Sequence, residues 1–286
     1  MTAVKIIATG PLTTVQDRGR PGYAAIGVGR AGAADRRAHD TANRLVGNTD
    51  DAATLEATMG GLRIRACGQL VVSVTGAAGP LSVDGTPDGM NCTLFIDDGQ
   101  ELAVGTPTSG LRTYVAVRGG FDVQPVLGSR SRDTMSDLGP PPLAAGDILA
   151  IGDSYVDWPA TQLAPAPVPI HSVRVTLGPR DDWFADPAAL FFHKWSVTAE
   201  SNRIGIRLDG SNALKRARTD ELSSEGMVPG ALQVPPDGKP VLFLVDHPVT
   251  GGYPVIGVVR YEDLPQLGQL RPGDTLRFVH DASAPM

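Results

Sequence analysis

Lysine and cysteine are almost missing from this chain. Of its 25 basic residues only Lys5, Lys194, Lys215 and Lys239 are lysines. Arginine supplies the others, so any anion the protein holds is expected to be met by planar, bidentate guanidinium groups. Two cysteines, Cys67 and Cys92, are too few to staple a chain of 286 residues, which excludes a disulfide scaffold. A basic excess is missing too. The formal net charge is −6 and the sequence pI about 5.3, whereas nucleic-acid binding calls for clustered positive charge. No nucleic-acid partner is expected. No run approaches the ~18 apolar residues of a membrane span. The opening MTAVKIIATGPL lacks the charged and then apolar pattern of a signal peptide. A cytoplasmic protein with no membrane partner is the default expectation.

Several catalytic signatures are absent as well. His39, His171, His193, His247 and His280 show no metal-ligand spacing, and no C-x-x-C occurs, so no metal is expected. Neither G-x-x-x-x-G-K-[ST] nor G-x-S-x-G is present, which leaves out a P-loop and a nucleophile elbow. GVGRAG at Gly27–Gly32 matches G-x-G-x-x-G. Dinucleotide binding on that motif needs alternating strands and helices around a parallel sheet. The alternation is missing, and the segment reads as a glycine-rich turn into a helix.

What is abundant is turn chemistry. Glycine (34) and proline (24) punctuate the chain, and many turns imply many short elements. Between them lie runs of strand composition: Leu62–Ala66, Leu70–Thr75, Thr93–Ile96, Leu111–Val117, Ile148–Ile151, Val173–Leu177, Val241–Val245, Val255–Val259 and Thr275–Val279. In one of them Arg112, Tyr114, Ala116 and Arg118 alternate with Leu111, Thr113, Val115 and Val117, the period of an antiparallel strand. Helical signals are few. Ala33–Val46 carries Ala34, Ala38, Ala42 and Leu45 on one stripe and stops at Gly47-Asn48. A second helix is expected to start at Asp186-Pro187 and run through AALFFHKW.

At roughly 150 residues per domain the length predicts two domains. WPATQLAPAPVP at 158–169 reads as a stiff proline-rich linker, which separates a domain at 1–157 from one at 170–286. The halves echo each other. LAAGDILAIG before the linker and LRPGDTLRFV near the end both place Gly-Asp ahead of a final strand. The expected fold class is mainly β, two similar barrel-like domains with a few short helices.

Five polar clusters fall where loops should be: TTVQDRGRPGY (13–23), RTYVAVRGG (112–120), SNRIGIRLDG (201–210), SSEGMVPGALQVPPDGKP (223–240) and VDHPVTGGYP (245–254). With the AGAAD…AN-R-LVGN stretch at 31–48, TGA at 75–77 and LGSRS at 127–131, they resemble the carboxyltransferase A/B-subdomain family, also called allophanate hydrolase subunit 2. That family includes 5-oxoprolinase subunits and antagonists of the Kip kinase inhibitor. The resemblance runs from about Val4 to Val279. It implies two cyclophilin-like β-barrel domains. It also implies a B-type companion subunit of the C/D-subdomain kind and an A-type subunit. In length the chain is most similar to the 5-oxoprolinase branch, which implies an enzyme subunit, inactive alone, that helps open 5-oxoproline to glutamate with ATP. ATP is expected to be held mainly by the partner subunits, and biotin is not expected on this chain. Two alternatives stay open: a component of a biotin-dependent carboxyltransferase acting on urea or another amide, and a non-catalytic regulator that binds a kinase-inhibitor-like partner. One departure stands out. The family's Ser-Gly-Ala-Met-Asp is Ala31-Gly32-Ala33-Ala34-Asp35 here, which removes a hydroxyl from that turn.

A lactam is an unstrained, resonance-stabilised amide. Opening it with ATP requires phosphate charge to be neutralised, a substrate carboxylate to be held and a nucleophile to be activated. Biotin-dependent carboxyl transfer needs a similar set: anion cradles and a base. Arg18, Arg20, Arg112 and Arg203 are the candidate anion holders; each is equally readable as an ion-pair partner, and Arg18 has Asp17 and Asp35 nearby in sequence. Gln16 and Asn202 offer a donor and an acceptor each, or close turns; Asp17 sits with them. Glu225 is the first candidate base and Asp246 the second, the latter also readable as a strand-end carboxylate bonding the following loop. Tyr253 lines a pocket or edges a core. Gly251 and Gly252 mark an unusual φ or a close approach. Helix 33–48 is expected to be structural, with Asn43 pinning a neighbouring loop.

Overall fold

The structure, a computed structural model, describes residues 2–159, 161–168 and 172–281. The chain divides into two compact units. One comprises Met1–Arg20, Ala31–Asp133 and Asp137–Val168; the other comprises Pro21–Arg30, Thr134–Ser136 and Pro169–Met286. The expected mainly β architecture with a few short helices is what the structure shows.

The first unit carries β1 (Ala3–Thr9), β2 (Leu12–Gln16), β3 (Thr54–Thr58), β4 (Leu62–Cys67), β5 (Leu70–Ala78), β6 (Leu81–Val83), β7 (Thr86–Asp88), β8 (Thr93–Ile96), β9 (Glu101–Val104), β10 (Ser109–Val117) and β11 (Ile148–Ala150). They form a six-stranded sheet, ordered β11-β1-β4-β9-β6-β7, and a five-stranded sheet, ordered β2-β3-β10-β5-β8. Val4, Ile6, Ile64 and Leu102 of the first sheet share one core with Val15, Leu55, Val72 and Val115 of the second. Strand alternation sends the intervening side chains to the opposite face. On the five-stranded sheet that face is covered by helix α1 (Arg36–Leu45), whose Ala38 and Ala42 pack on Tyr114 and Ala116. Small residues let the helix backbone approach closely: Ser73 Oγ donates to the Ala42 carbonyl at 2.6 Å and Thr75 Oγ1 to that of Ala38 at 2.7 Å.

Helix α1 begins three residues later than its apolar stripe suggests. Ala31 and Gly32 have φ of 52° and 101°, outside the helical region. Asp35 then caps the helix by accepting from the Ala38 amide at 3.0 Å. Asn43 does pin a loop: its Nδ2 donates to the Ala52 carbonyl at 2.8 Å, and its Oδ1 accepts from Asn48 at 3.0 Å.

The second unit carries β12 (Ser172–Leu177), β13 (Trp195–Val197), β14 (Gly205–Asp209), β15 (Glu225–Gly226), β16 (Ala231–Gln233), β17 (Val241–Phe243), β18 (Thr250–Gly251), β19 (Val255–Val259) and β20 (Thr275–His280). Seven of these close a barrel in the order β12-β19-β16-β17-β14-β13-β20, and β15 and β18 form a separate two-stranded antiparallel sheet. Val175, Ile206, Leu232, Leu242, Ile256 and Phe278 belong to its core.

The helix expected from Asp186 to Trp195 is cut to one turn, α2 (Ala189–Phe192). Trp195 is the reason. Its indole is fully buried and donates from Nε1 to the Leu190 carbonyl at 3.1 Å. Its backbone pairs with Leu276, inserting β13 between β14 and β20. A helix through Trp195 would leave the barrel open.

The Gly-Asp echo is a real repetition of turn chemistry. Asp147 accepts from the Ala144 amide at 2.8 Å, and Asp274 accepts from the Arg271 amide, also at 2.8 Å. The glycine before each has positive φ, 99° at Gly146 and 92° at Gly273. Of the stretch 158–169, Ala160 and Pro169 lie outside the described residues, as does His171. Part of the rest lies along the edge of β8: Thr93 donates to the Gln162 carbonyl at 2.9 Å, and Ala164 to that of Asn91 at 2.8 Å. No helix among the described residues is long and apolar enough to cross a membrane.

Candidate functional site

In the first unit β2 ends in a buried polar turn. Gln16 Nε2 donates to Thr14 Oγ1 and to the Arg132 carbonyl, both at 3.0 Å. Asp17 accepts from the Gly19 amide (2.7 Å), Ser129 Oγ (2.6 Å), Ser131 Oγ (2.5 Å) and the Arg130 amide (2.6 Å). Arg20, 1% exposed, donates to the carbonyls of Val126 and Ser131. Asp17 and Arg20 therefore bind the QDRGR turn to the LGSRS segment, and Gln16 binds it to Arg132 immediately after. Gly32 lies against this turn with a φ of 101°, and a Cβ there would stand 3.0 Å from backbone atoms of Arg18 and Gly19, so any side chain at this position is strained.

Arg18 points elsewhere. Its Nε and Nη2 donate to the two oxygens of Asp40 at 3.2 and 2.7 Å, and Nη2 also donates to Asp50 at 2.7 Å. Its ion-pair partners are thus Asp40 and Asp50, not the sequence neighbours Asp17 and Asp35. Arg44 joins through Asp50, and His39 Nδ1 lies 3.1 Å from Asp40. Burial pushes the Asp40 carboxyl up, but hydrogen bonds from His39 and Arg18 outweigh it and hold the group below the usual carboxylate range. The Arg44 hydrogen bond likewise lowers Asp50.

Arg112 lies on β10 and reaches the β3 residue Glu56, with Nε 3.4 Å from Oε1. Both are buried. The register pairs Tyr114 with Glu56, so Arg112 and Glu56 form a diagonal cross-strand pair. Tyr114 donates its hydroxyl to Glu56 Oε2 at 2.7 Å and accepts from the Asp35 amide at 2.7 Å. Burial, and then the charge on Glu56, push this phenol well above its ordinary value. Glu56 was legible only as an acidic residue inside an otherwise apolar and threonine run, TLEAT.

In the second unit Arg203 and Asp246 form a buried bidentate pair, Nε to Oδ2 at 2.9 Å and Nη2 to Oδ1 at 3.0 Å. Thr134 adds its amide and hydroxyl to Asp246 Oδ2 at 3.0 and 2.7 Å. Asn202 closes a turn, its Oδ1 accepting from the amides of Ile204 (2.8 Å) and Gly205 (3.2 Å).

Glu225 lies on the two-stranded sheet of β15 and β18, directly opposite Gly251. Arg180 donates to it from Nε at 2.9 Å and from Nη2, both to Oε1. The Glu225 side chain is 25% exposed. Gly251 is a close approach: a Cβ there would sit 2.5 Å from Gln233 Nε2. Neither Gly251 nor Gly252 has a positive φ, so the unusual-φ reading of this pair is corrected. At Gly252 a Cβ would meet only the Leu222 carbonyl, at 3.7 Å. Tyr253 is 45% exposed, and the Arg216 guanidinium lies 5.8 Å from its ring centroid. His247 Nδ1 lies 2.8 Å from the Pro248 carbonyl; a carbonyl only accepts, so that nitrogen carries the proton.

Hydrogen bonds, ion pairs and register tie the residues marked by the sequence to near neighbours within each unit: in the first, Gln16, Asp17 and Arg20 to the 126–132 segment, Arg18 to Asp40 and Asp50, and Arg112 to Glu56; in the second, Arg203 to Asp246, and Glu225 to Arg180 and Gly251. Arg18, Arg112 and Arg203 each face a carboxylate, so none offers a bare cradle for phosphate. Among the candidate carboxylates Asp17 and Asp246 are buried and enclosed in hydrogen bonds, while Glu225 keeps a reachable oxygen. Arg180, Gln233, Glu56, Ser129 and Ser131 were not singled out by sequence. Gln233 stands inside the GALQVPP motif, and Arg180 follows Gly-Pro in a loop; both signals were visible.

Known proteins share this architecture. The family model for the carboxyltransferase domain, subdomain A and B, matches residues 26–280. The C-type subunit of the Escherichia coli 5-oxoprolinase is 37% identical over 281 residues, covering 96% of this chain and 90% of that protein. The urea amidolyase of Lachancea kluyveri is 32% identical over 97% of this chain, which spans only 17% of that protein. The crystal structure of the Kluyveromyces lactis urea amidolyase superposes with a TM-score of 0.91 at 33% identity, covering 97% of this chain and 18% of that one. The chain belongs to the carboxyltransferase family of subdomains A and B.

Proposed function

We propose that this chain is the C-type subunit of an ATP-dependent, cytoplasmic 5-oxoprolinase and acts only beside A- and B-type subunits. The observation that carries the reading is reciprocal coverage. The match to the Escherichia coli 5-oxoprolinase protein takes in nearly all of both chains, 96% of one and 90% of the other, whereas the urea amidolyases are several times longer than the matched region. The chemistry agrees. Phosphorylating the lactam oxygen activates the ring carbon; water adds there with a base accepting its proton, the ring nitrogen leaves as the amine to open the ring, and a second water displaces phosphate from the resulting acyl phosphate. Glu225 supplies that base. The pairing of Arg18, Arg112 and Arg203 with carboxylates and of Arg20 with backbone carbonyls supports ATP being held mainly by the partner subunits, and biotin is not expected on this chain.

The test is reconstitution. The purified chain, mixed with A- and B-type subunits, should release glutamate from 5-oxoproline only when ATP and all three proteins are present. The similarity to urea amidolyase supports a second reading, carboxyl transfer from biotin to an amide. Avidin-sensitive incorporation of labelled bicarbonate into urea, without glutamate release, would favour it.

A further inference from the structure

Gly251 exposes a feature of the second unit that the sequence marked without explaining. In an antiparallel pair, directly opposed side chains project on the same face, their Cβ atoms about 5 Å apart. Glu225 is opposed to Gly251, which has no side chain to project. The place where its Cβ would stand is taken by the Gln233 carboxamide, 2.5 Å from Nε2. Gln233 reaches it from the neighbouring barrel strand β16. The carboxylate of Glu225 and the carboxamide of Gln233 therefore share one face of this two-stranded sheet. Arg180 closes the group: its amide donates to the Val255 carbonyl at 3.0 Å, and Val255 is the register partner of Gln233.

The orientation of the carboxamide is fixed by its partner. Nε2 donates to the Tyr253 carbonyl at 3.2 Å, so the nitrogen faces that carbonyl and Oε1 faces away. Oε1 has no hydrogen-bond partner among the described residues and is not sealed from solvent. Nε2 keeps a second hydrogen, whose nearest acceptor is the weakly accepting Met227 sulfur at 4.0 Å. Glu225 is in the same condition. Both Arg180 bonds go to Oε1, which leaves Oε2 without a partner among the described residues.

We infer that Gln233 recognises the cis-amide edge of the substrate beside Glu225. A lactam or a urea presents an N–H and a C=O on one edge. Gln233 offers the complement, an accepting Oε1 and a donating Nε2, and the two edges close a pair of hydrogen bonds. An ordinary trans peptide presents its N–H and C=O on opposite edges and does not fit. Arg180 is the positioning residue that holds Glu225 with Oε2 turned to the same ligand. The inference rests on the 5-oxoprolinase reading for its ligand, and its test is separate from turnover.

The experiment is calorimetric titration of the full chain with 5-oxoproline and with the lactone in which the ring N–H is replaced by oxygen. The wild-type chain should prefer the lactam by about tenfold, the worth of one hydrogen bond to a group otherwise left unpaired. Gln233→Leu should abolish the preference. Gly251→Ala should do the same from the other side, by occupying the position of Nε2; its backbone φ is open to alanine, and thermal unfolding checks that the variant folds. The double variant should lose nothing further. Equal affinity of the wild-type chain for lactam and lactone, no lactam binding at all, or a preference that survives Gln233→Leu would each overturn the inference. Glutamate release by the reconstituted wild-type complex is unaffected by those outcomes, so failure here and failure of the proposed function are distinguishable.

Discussion

Arg203 and Asp246 meet edge to edge inside the second unit, Nε 2.9 Å from Oδ2 and Nη2 3.0 Å from Oδ1, with side-chain exposures of 3% and 0%. A buried pair of this kind is costly to break from one side, because the remaining charge is stranded. Asp246→Ala should destabilise the second unit by about 3–5 kcal/mol. Replacing both partners with apolar residues of similar volume should cost less than either single change. Urea unfolding of the three variants checks this. A mild Asp246→Ala effect would mean that the carboxylate is not the partner the guanidinium depends on.

Tyr114 predicts a comparable test in the first unit. Its hydroxyl links the Asp35 amide at the start of α1 to Glu56 on β3. Tyr114→Phe keeps the packing and removes both bonds, for an expected loss of about 1–3 kcal/mol. The phenol itself should show no ionisation in an ultraviolet titration until the protein unfolds in alkali, because burial and Glu56 hold it neutral.

Acid should act through Asp40. Its carboxyl lies below the usual range in the folded chain and returns to about 3.9 on unfolding. A depressed carboxyl adds stability that is fully present above the unfolded value and is lost as pH falls toward the folded one. Melting temperature should therefore hold from pH 7 to about pH 4 and fall steeply below it. Asp40→Asn should lower the plateau and flatten the fall. An unchanged acid limb in that variant would remove Asp40 from the account.

Under the proposed function Glu225 is the base, and replacing it should separate catalysis from binding. Glu225→Gln should leave the chain bound to its B-type partner in a pull-down and abolish turnover by the assembled complex. If the variant lost neither, a regulatory role without chemistry would be the better account.

These expectations show where the sequence was readable. Period-two runs foretold the strands because burial on one face writes itself into alternate residues, as in Leu111–Val117. The Gly-Asp repeats foretold two equivalent turns because the chemistry of such turns is local. Trp195 misled: its apolar neighbours favour a helix, and only the barrel seam it fills makes it a strand residue. Partner choice was not legible at all. Arg18 passes over the acids nearest in sequence and takes Asp40 and Asp50, because the fold, not chain distance, brings carboxylates to it. Gln233 was visible as a motif residue, but its neighbour was not: its place beside Glu225 depends on a missing side chain at Gly251, on a different strand.

The decisive measurement is an omission assay on the three-subunit mixture, scored as glutamate formed from 5-oxoproline in the presence of ATP. Glutamate should form in the complete mixture and fall to background without this chain or when Glu225→Gln replaces it. Full activity from the A- and B-type subunits alone, or none from the complete set, would contradict it.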